Sequence, residues 1–148
     1  MERTRVRDLM SSPAIVAPPN TTVPAANALM KQHRIRHLPV VENGRLVGIV
    51  SQGDLRQASI AASINADSYE LHFMLDRLTV SNIMTRKVFT VTPEAFIVHA
   101  AELMTEKKIA GLPVVEKDGS VVGIITESDL LKMLVTKLRQ AEEQSAGG

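Results

Sequence analysis

The sequence contains no cysteine and no tryptophan among its 148 residues, and aromatic residues make up only 3% of it. The absence of cysteine excludes disulfide bonds, thiolate metal sites and cysteine nucleophiles, and leaves the redox compartment undetermined. So few aromatic rings provide no stacking platform for single-stranded nucleic acid.

Long apolar runs and an excess of one charge are also missing. The N-terminus leads into no apolar run of signal length, and no stretch is long enough to span a bilayer. The formal net charge of +1 gives no overall attraction to nucleic acid or membrane. We therefore expect a soluble cytoplasmic protein that binds neither nucleic acid nor membrane.

One nine-residue stretch occurs twice, as VGIVSQGDL from Val47 and as VGIITESDL from Val122. Each copy predicts a buried strand that runs into a helix, with a hydroxyl residue and an aspartate near the helix start. A strand end that faces a helix N-terminus is suited to an anion, because unpaired N–H groups and the helix dipole point the same way. Ser51 or Thr126 can then donate to a phosphate, while Asp54 or Asp129 can accept both hydroxyls of a ribose. The alternative is that these residues only cap helices.

The duplication extends over the whole chain. Val6–Met10 (VRDLM) matches Val80–Met84 (VSNIM) at an offset of 74, and Leu38–Glu42 matches Leu112–Glu116 at the same offset. One inserted residue near Asp118 moves the offset to 75. A lone unit of this size would be marginally stable, so we expect the two copies to pack together as one compact domain.

Each copy predicts the element order β-α-β-β-α, which gives a mixed α/β (α+β) fold with pseudo-two-fold symmetry. Asn43-Gly44 predicts a tight hairpin in the first copy. The expected strands are Ala14–Ala17, Leu38–Val41 and Leu46–Val50, then Val88–Val91, Leu112–Val115 and Val121–Ile125. The expected helices begin near Thr21 or Thr22 and near Asp54, then span Phe96–Lys107 and Ser128 to about Gln140.

The predicted boundaries are residues 1–60 for the first repeat, 61–79 for a helical linker, 80–141 for the second repeat and 142–148 for a disordered tail. The linker carries apolar residues at helical spacing after a possible cap at Asp67 or Ser68. We expect it to pack on the repeats or on a second subunit.

From about Val6 to about Leu134, this ordered series of motifs resembles the cystathionine-β-synthase (CBS) domain, present twice as in a Bateman module. The linker is similar to those of small stand-alone CBS-pair proteins, including the CBS part of acetoin-utilisation regulators. The resemblance implies a regulatory module that binds AMP, ADP or ATP, less often S-adenosylmethionine, NAD or a cyclic dinucleotide. It also implies an unidentified regulated protein as partner and a homodimer formed through the helices after Asp54 and Asp129.

In this family each ligand lies in a composite cleft between the repeats. The resemblance assigns the ribose to Asp54 and Asp129 and the phosphates to Ser51 and Thr126. It assigns the adenine to apolar residues of the opposite repeat. These are Ile15, Val16 and Ile35 for the Asp129 site, and Val88, Phe89, Ile109 and Ala110 for the Asp54 site.

The two repeats differ where charge matters. Arg36 and His37 stand before Leu38, whereas Ala110 and Gly111 stand before Leu112. In the family a basic residue at this place reaches the phosphates of the site completed by its own repeat's aspartate. We therefore expect the Asp54 site to be the better phosphate binder, unless Arg36 and His37 are merely solvated.

Metal binding and catalysis receive little support. His33 and His37 have the i, i+4 spacing of zinc ligands, but no third ligand is indicated and the helix must end before Leu38. No nucleophile elbow, phosphate-binding loop or dinucleotide fingerprint is present. We expect no metal, no resident cofactor and no enzymatic activity. The alternative function is a ligand-free oligomerisation or protein-interaction module.

Overall fold

The computed structural model describes residues 3–64 and 66–147, which form two compact units. The Asp54 unit contains Ala14–Val88 and Asp118–Val121. The Asp129 unit contains the N-terminal stretch through Pro13, then Phe89–Lys117, then the chain from Val122 onward. The compact units therefore do not coincide with the sequence repeats. The first segment of each repeat, Val6–Met10 or Val80–Met84, belongs to the unit that contains most of the other repeat.

The described residues form helices and two small sheets, which confirms the predicted mixed fold class. The first half contains α1 (Val6–Leu9), α2 (Val23–His33), β1 (His37–Glu42), β2 (Arg45–Ser51), α3 (Gln52–Ser63) and α4 (Ser68–Leu75). The second half contains α5 (Val80–Ile83), α6 (Ile97–Lys107), β3 (Gly111–Val115), β4 (Val121–Thr126) and α7 (Glu127–Gly147).

Each sheet is a two-stranded pair, β1 with β2 and β3 with β4. The first pair is antiparallel, and Leu38 lies opposite Val50. Its turn is the predicted Asn43-Gly44 hairpin, in which both residues have positive φ, 52° and 77°. Positive φ at both central residues is what a two-residue turn needs to match the strand twist.

The prediction of a strand at the start of each repeat is wrong. Ala17 makes a single parallel bridge to Val40, and Val91 makes a single parallel bridge to Val114. Ala17 donates to the carbonyl of Pro39 at 3.1 Å and accepts from the amide of Val41 at 2.9 Å. The pairing does not continue, because the next amide that would face the partner strand belongs to Pro19, or to Pro93 in the second copy, and proline has no amide hydrogen to donate.

The last helix is longer than the sequence indicated. α7 continues through Gly147, past the expected end near Gln140 and through most of the stretch expected to be disordered. Residues 141–144 are Ala, Glu, Glu and Gln, all good helix formers, and neither glycine nor proline interrupts them. Gly148 lies outside the described residues.

Gly48 and Gly123 occupy equivalent positions, and the first segment of the opposite repeat packs against each of them. In the Asp54 unit, Ile49 and Thr85 exchange backbone hydrogen bonds at 3.0 and 2.9 Å, which places the Met84 side chain against Gly48. A Cβ on Gly48 would lie 2.8 Å from Met84 Cγ. The Asp129 unit repeats the arrangement, and a Cβ on Gly123 would lie 2.7 Å from Met10 Sδ. Only glycine leaves room for this close approach.

Each unit has its own apolar core, and equivalent residues occupy it. Leu38, Val40 and Leu55 are fully buried in the Asp54 unit with Val80 from α5. Leu112, Val114 and Ile125 are fully buried in the Asp129 unit with Val6 from α1. The cores hold β2 and β4 in place, and these strands carry the chain into α3 and α7.

Candidate functional site

The start of α3 brings Ser51 and Asp54 into reciprocal contact. Asp54 Oδ2 accepts from the backbone N–H of Ser51 at 2.8 Å, and Ser51 Oγ accepts from the backbone N–H of Asp54 at 3.1 Å. This is a capping box, in which two otherwise unpaired amides at the helix start are satisfied. The capping role considered from the sequence is therefore real, and it fixes both side chains at the helix N-terminus.

The residue before β1 is attached to the same helix start. The backbone N–H of Gln52 donates to the carbonyl of Arg36 at 2.8 Å. This bond places Ile35 and Arg36 beside Ser51 and Asp54 in one unit. The Arg36 side chain is exposed, and half-buried His37 opens β1.

The start of α7 has the same backbone plan with a different hydroxyl contact. Asp129 Oδ2 accepts from the backbone N–H of Thr126 at 2.9 Å, and the Thr126 hydroxyl donates to the same oxygen at 3.2 Å. The backbone N–H of Glu127 donates to the carbonyl of Ala110 at 2.9 Å. Thr126 thus uses its hydrogen on Asp129, whereas Ser51 acts as an acceptor toward its own helix.

Both aspartates keep acceptor capacity for a ligand. In each, the capping contacts found among the described residues involve Oδ2 and leave Oδ1 unused. Each aspartate is half-buried, so solvent or a ligand reaches it. A carboxylate with one oxygen fixed and the other accessible can accept the two adjacent hydroxyls of a ribose.

The expected adenine-contacting residues divide between the units. Ile15 and Ile35 pack against the core of the Asp54 unit, where Val16 is 39% exposed and Val88 ends the main segment. Phe89 and Ile109 pack against the core of the Asp129 unit, next to half-buried Ala110. Within a unit, the structure brings Ile35 to the Asp54 helix and Ile109 to the Asp129 helix. The predicted combination of each aspartate with the apolar residues of the opposite repeat stays a prediction.

The sequence reasoning missed one contact of a candidate pocket residue. The ammonium group of Lys107 lies 5.1 Å from the ring centre of Phe89, a cation–π distance. Phe89 stands where the first repeat has Ile15, and the basic residue sits at the end of α6. The replacement of isoleucine by phenylalanine is visible when the repeats are aligned, but the proximity of Phe89 to Lys107 is not.

The two histidines at zinc-ligand spacing do not share a helix. α2 ends at His33, and β1 begins at His37. Across residues 3–64 and 66–147, no group of three or more potential ligand side chains is placed to hold a metal ion. In the same part of the chain, no helix has the length and apolar character needed to cross a membrane.

Curated relatives contain this pair of repeats alone or within longer proteins. A CBS domain-containing protein of Dictyostelium discoideum is 34% identical over 141 residues, which cover 95% of this chain and 97% of the relative. The L-aspartate semialdehyde sulfurtransferase of Methanocaldococcus jannaschii is also 34% identical, over 131 residues. This chain matches only 23% of that enzyme's length.

Solved structures share the fold over most of their length. A putative acetoin utilisation protein from Vibrio cholerae is 32% identical with a TM-score of 0.79, and the match covers 95% of this chain and 98% of that one. The CBS domain pair of protein MJ0100, solved with 5′-methylthioadenosine and S-adenosyl-L-methionine, is 32% identical with a TM-score of 0.76 and covers 90% and 98%. The protein CBSX2, solved with AMP, is 29% identical with a TM-score of 0.71 and covers 89% and 96%.

A sequence profile of the CBS domain matches residues 6–61 and again residues 80–136. The two matches cover most of the chain, with one match in each half. The chain therefore belongs to the CBS domain family and carries two CBS domains in tandem.

Proposed function

We propose that this protein is a regulatory module that binds an adenosyl ligand of the AMP, ADP or ATP type and transmits its presence to a partner protein. The observation that carries the proposal is the repeated helix start, where an aspartate is fixed through one oxygen and open through the other. Related CBS pairs that bind adenosyl compounds support it. S-adenosylmethionine and NAD are further candidates of the same chemistry.

In this proposal Asp54 and Asp129 each accept the hydroxyls of one ribose. A hydrogen bond to an ionised carboxylate is stronger than one between neutral groups, so these contacts supply a large share of the affinity. Ser51 donates its hydroxyl hydrogen to a phosphate, whereas Thr126 can do so only when its hydroxyl turns away from Asp129 Oδ2. At the Asp54 site exposed Arg36 adds positive charge, and half-buried His37 provides a further phosphate contact. The Asp129 site has Ala110 and Gly111 at those places and is therefore the weaker phosphate binder.

The adenine is proposed to rest on apolar side chains, which select it by shape and by backbone contacts. The variants Ile109→Ala and Ile35→Ala test which isoleucine contacts the adenine at the site of each aspartate. The family arrangement predicts that Ile109→Ala weakens the site that Asp54→Asn abolishes. A same-unit arrangement predicts that it weakens the site that Asp129→Asn abolishes.

Regulation requires that the ligand bind one of two conformations more tightly than the other, because only differential affinity shifts an equilibrium. We propose that the protein acts in the cytoplasm without catalysing a reaction. The regulated partner then recognises the conformation that the ligand stabilises.

The test is isothermal titration calorimetry of nucleotide-stripped protein with AMP, ADP, ATP, NAD and S-adenosylmethionine. Asp54→Asn and Asp129→Asn retain an oxygen that caps the helix but remove the charge and the free acceptor. Asp8→Asn is the matched control, because Asp8 Oδ2 accepts from the backbone N–H of Arg5 at 2.8 Å in the same kind of cap outside the repeated motif.

We expect micromolar binding that loses one site in each motif variant and keeps both sites in Asp8→Asn. Binding that is absent for every ligand, or equally reduced by all three variants, would reject the proposal. The aspartates would then be helix caps alone.

The alternative, a self-association module, draws on one observation. Four apolar side chains of α7 recur at helical spacing and are between 41% and 60% exposed: Leu131, Leu134, Val135 and Leu138. Light scattering that gives a dimer for the wild type and a monomer for Leu134→Glu would support a homodimer through α7. A wild-type monomer at all concentrations tested would remove it.

A further inference from the structure

The linker helix α4 exposes apolar side chains that its own unit does not cover. Its inward residues Leu71 and Leu75 are half-buried, and Leu75 packs against the core of the Asp54 unit. None of the eight residues of α4 is buried. Five apolar side chains of α4 and of the end of α3 are between 47% and 80% exposed: Ile60, Ile64, Tyr69, Phe73 and Met74. We call these five residues the α4 surface.

Local contacts hold the α4 surface in place but do not bury it. Asp67 Oδ1 caps α4 by accepting from the backbone N–H of Glu70 at 2.8 Å. The Arg77 guanidinium lies 4.1 Å from the ring centre of Phe73, yet Phe73 stays 51% exposed. A helix as short as α4 is marginal in water unless its apolar side chains are packed. Clustered apolar side chains that stay exposed on a folded unit indicate an interaction surface.

The last helix carries a second exposed apolar surface. Every residue of α7 from Leu134 onward is exposed. Because successive residues are about 100° apart around a helix, four exposed apolar residues fall on one side of it. They form the α7 stripe: Leu131, Leu134, Val135 and Leu138. By the same geometry Lys132 and Arg139 flank the stripe on one side, and Lys137 flanks it on the other.

The two surfaces carry opposite charge. Asp67, Glu70 and Asp76 belong to α4 or to its caps, and the neighbouring cation Arg77 is stacked on Phe73. The α7 stripe is bordered by basic residues instead. An apolar helix with a basic border and an apolar surface with acidic neighbours are complementary in both respects.

The outer face of α6 is a less suitable counterpart for the α7 stripe. A cavity of about 320 Å³ lies there, and its described lining consists of Val98, Ala101, Glu102, Thr105 and Glu106. The two glutamates would also attract basic residues. Val98, however, is the one large apolar side chain in that lining, so the face offers little apolar area for burial.

We propose that the α4 surface binds the α7 stripe of a second copy of this chain. An amphipathic helix that lays its apolar side on an apolar surface is a recurrent mode of recognition. In a two-fold dimer the contact forms twice, because each copy offers both surfaces. The inference goes beyond a contact of α7 alone, and it holds whether or not the protein binds an adenosyl ligand.

The experiment measures the molar mass of the full chain by light scattering over a concentration series. We expect a dimer for the wild type. Phe73→Glu and Leu134→Glu should each raise its dissociation constant by about tenfold or more, because each places a charge in the apolar contact. Val98→Glu is the matched control, since it places the same charge on an exposed apolar residue of α6, and it should leave the dimer unchanged.

Mixing the first two variants tests which surfaces meet. Phe73→Glu keeps an intact α7 stripe, and Leu134→Glu keeps an intact α4 surface. An equal mixture should form a heterodimer through one intact contact at concentrations where each variant alone is monomeric. A dimer in which α7 meets α7 would not be restored, because every mixed pair would contain one broken stripe.

A charge variant keeps every apolar side chain of α4 and so guards against a local loss of the helix. Glu70→Lys should raise the dissociation constant by about threefold or more, since an attraction to the basic border is replaced by repulsion. Glu106→Lys makes the same change on α6 and should leave the dimer unchanged.

Four results would overturn the inference. A wild-type monomer at every concentration shows that a second copy does not cover these surfaces. A dimer as tight in Phe73→Glu and Glu70→Lys as in the wild type excludes the α4 surface. Dissociation in Val98→Glu without dissociation in Phe73→Glu assigns the contact to α6, and a mixture that stays monomeric shows that the two surfaces do not meet. None of these results changes the calorimetric test of the proposed function.

Discussion

The Asp54 unit and the Asp129 unit share the same backbone arrangement but differ in the side chains and hydrogen bonds at their helix starts. The positions that pack the fold are nearly identical, as in Gly48 and Gly123, which both receive a methionine. The residues at and just before the two helix starts have diverged. The differing pairs are Arg36 with Ala110, His37 with Gly111, Ser51 with Thr126, Gln52 with Glu127 and Gly53 with Ser128.

The two units keep the same packed scaffold, whereas the residues at their helix starts differ. Backbone positions are constrained by close packing, where a single added atom is felt. A side chain at a helix start is constrained mainly by its cap, so it can change with the ligand. The proposed sites are therefore expected to differ in ligand preference although the two units share one scaffold.

The largest effect should come from truncating the equivalent core leucines. Leu38 and Leu112 are both fully buried, so Leu38→Ala and Leu112→Ala should each lower the free energy of unfolding by about 2–5 kcal/mol. Urea denaturation measures both. A large loss from one variant and none from the other would show that the units are not equivalent in packing.

A smaller effect should distinguish the two methionine contacts. Gly48→Ala and Gly123→Ala overpack their units and should each cost about 1–3 kcal/mol. In the first, Met84 is the nearest neighbour and its flexible side chain can be removed. A backbone carbonyl oxygen also lies close in both units, but a Cβ on Gly123 would be 2.8 Å from that of Ser11, whereas a Cβ on Gly48 would be 3.1 Å from that of Thr85.

Met84→Ala should therefore restore part of the stability lost in Gly48→Ala, whereas Met10→Ala should restore little in Gly123→Ala. Thermal unfolding of the four single variants and two double variants tests this. Equal rescue in both units would contradict the different surroundings of the two glycines.

Removing the capping hydroxyls should lower the stability by less than the substitutions above, and by different amounts in the two units. Ser51→Ala removes the acceptor of the Asp54 amide and should cost about 0.5–2 kcal/mol. The Thr126 hydroxyl instead donates to Asp129, a carboxylate that water can also reach, so Thr126→Val should cost less than Ser51→Ala. Chemical denaturation of both variants gives the order, and a larger cost for Thr126→Val would reverse our assignment of their roles.

The smallest effect concerns the two hairpin turns. The Ser120 hydroxyl and its backbone N–H donate to Asp118 Oδ1 at 2.6 and 2.9 Å, and together with nearby Arg45 they lower the pKa of Asp118. The first hairpin has Asn43 at the equivalent position, and the amide side chain of asparagine does not titrate. A lowered pKa in the folded state means that the Asp118 contribution to stability is present above the unfolded-state pKa and is lost as the pH falls through the folded-state pKa.

Ser120→Ala should raise the pKa of Asp118 toward its ordinary value, and Ser120→Thr should preserve the lowered value. NMR titration of the Asp118 carboxylate measures both. An unchanged pKa in Ser120→Ala would assign the shift to the backbone N–H of residue 120, which alanine retains, and to Arg45.

Much of the scaffold could be predicted from the sequence because it depends on local signals that occur twice. The Asn43-Gly44 hairpin, the strands around Leu38 and Leu112 and the helix starts at Ser51 and Thr126 follow from turn chemistry, β-branched runs and capping residues. The short first strands were overestimated, because apolar residues before a proline resemble a strand although the proline stops the pairing.

The candidate site was predicted in its residues but not in its hydrogen bonds. Sequence spacing indicates that Ser51 and Asp54 lie at a helix start, but it does not say which oxygen each cap uses. The carbonyl contact from Arg36 joins residues that are far apart in the chain, so local patterns do not show it.

The most direct test of the central claim is whether Asp54 binds a ribose. The affinities of AMP and 2′-deoxy-AMP are compared by calorimetry in Asp129→Asn, which retains the Asp54 site alone, and the Asp54→Asn, Asp129→Asn double variant is the control that should bind neither nucleotide. We expect the missing hydroxyl to weaken binding to Asp129→Asn by about tenfold or more. Equal affinities of Asp129→Asn for the two nucleotides would show that Asp54 does not contact the ribose 2′-hydroxyl and would contradict the account.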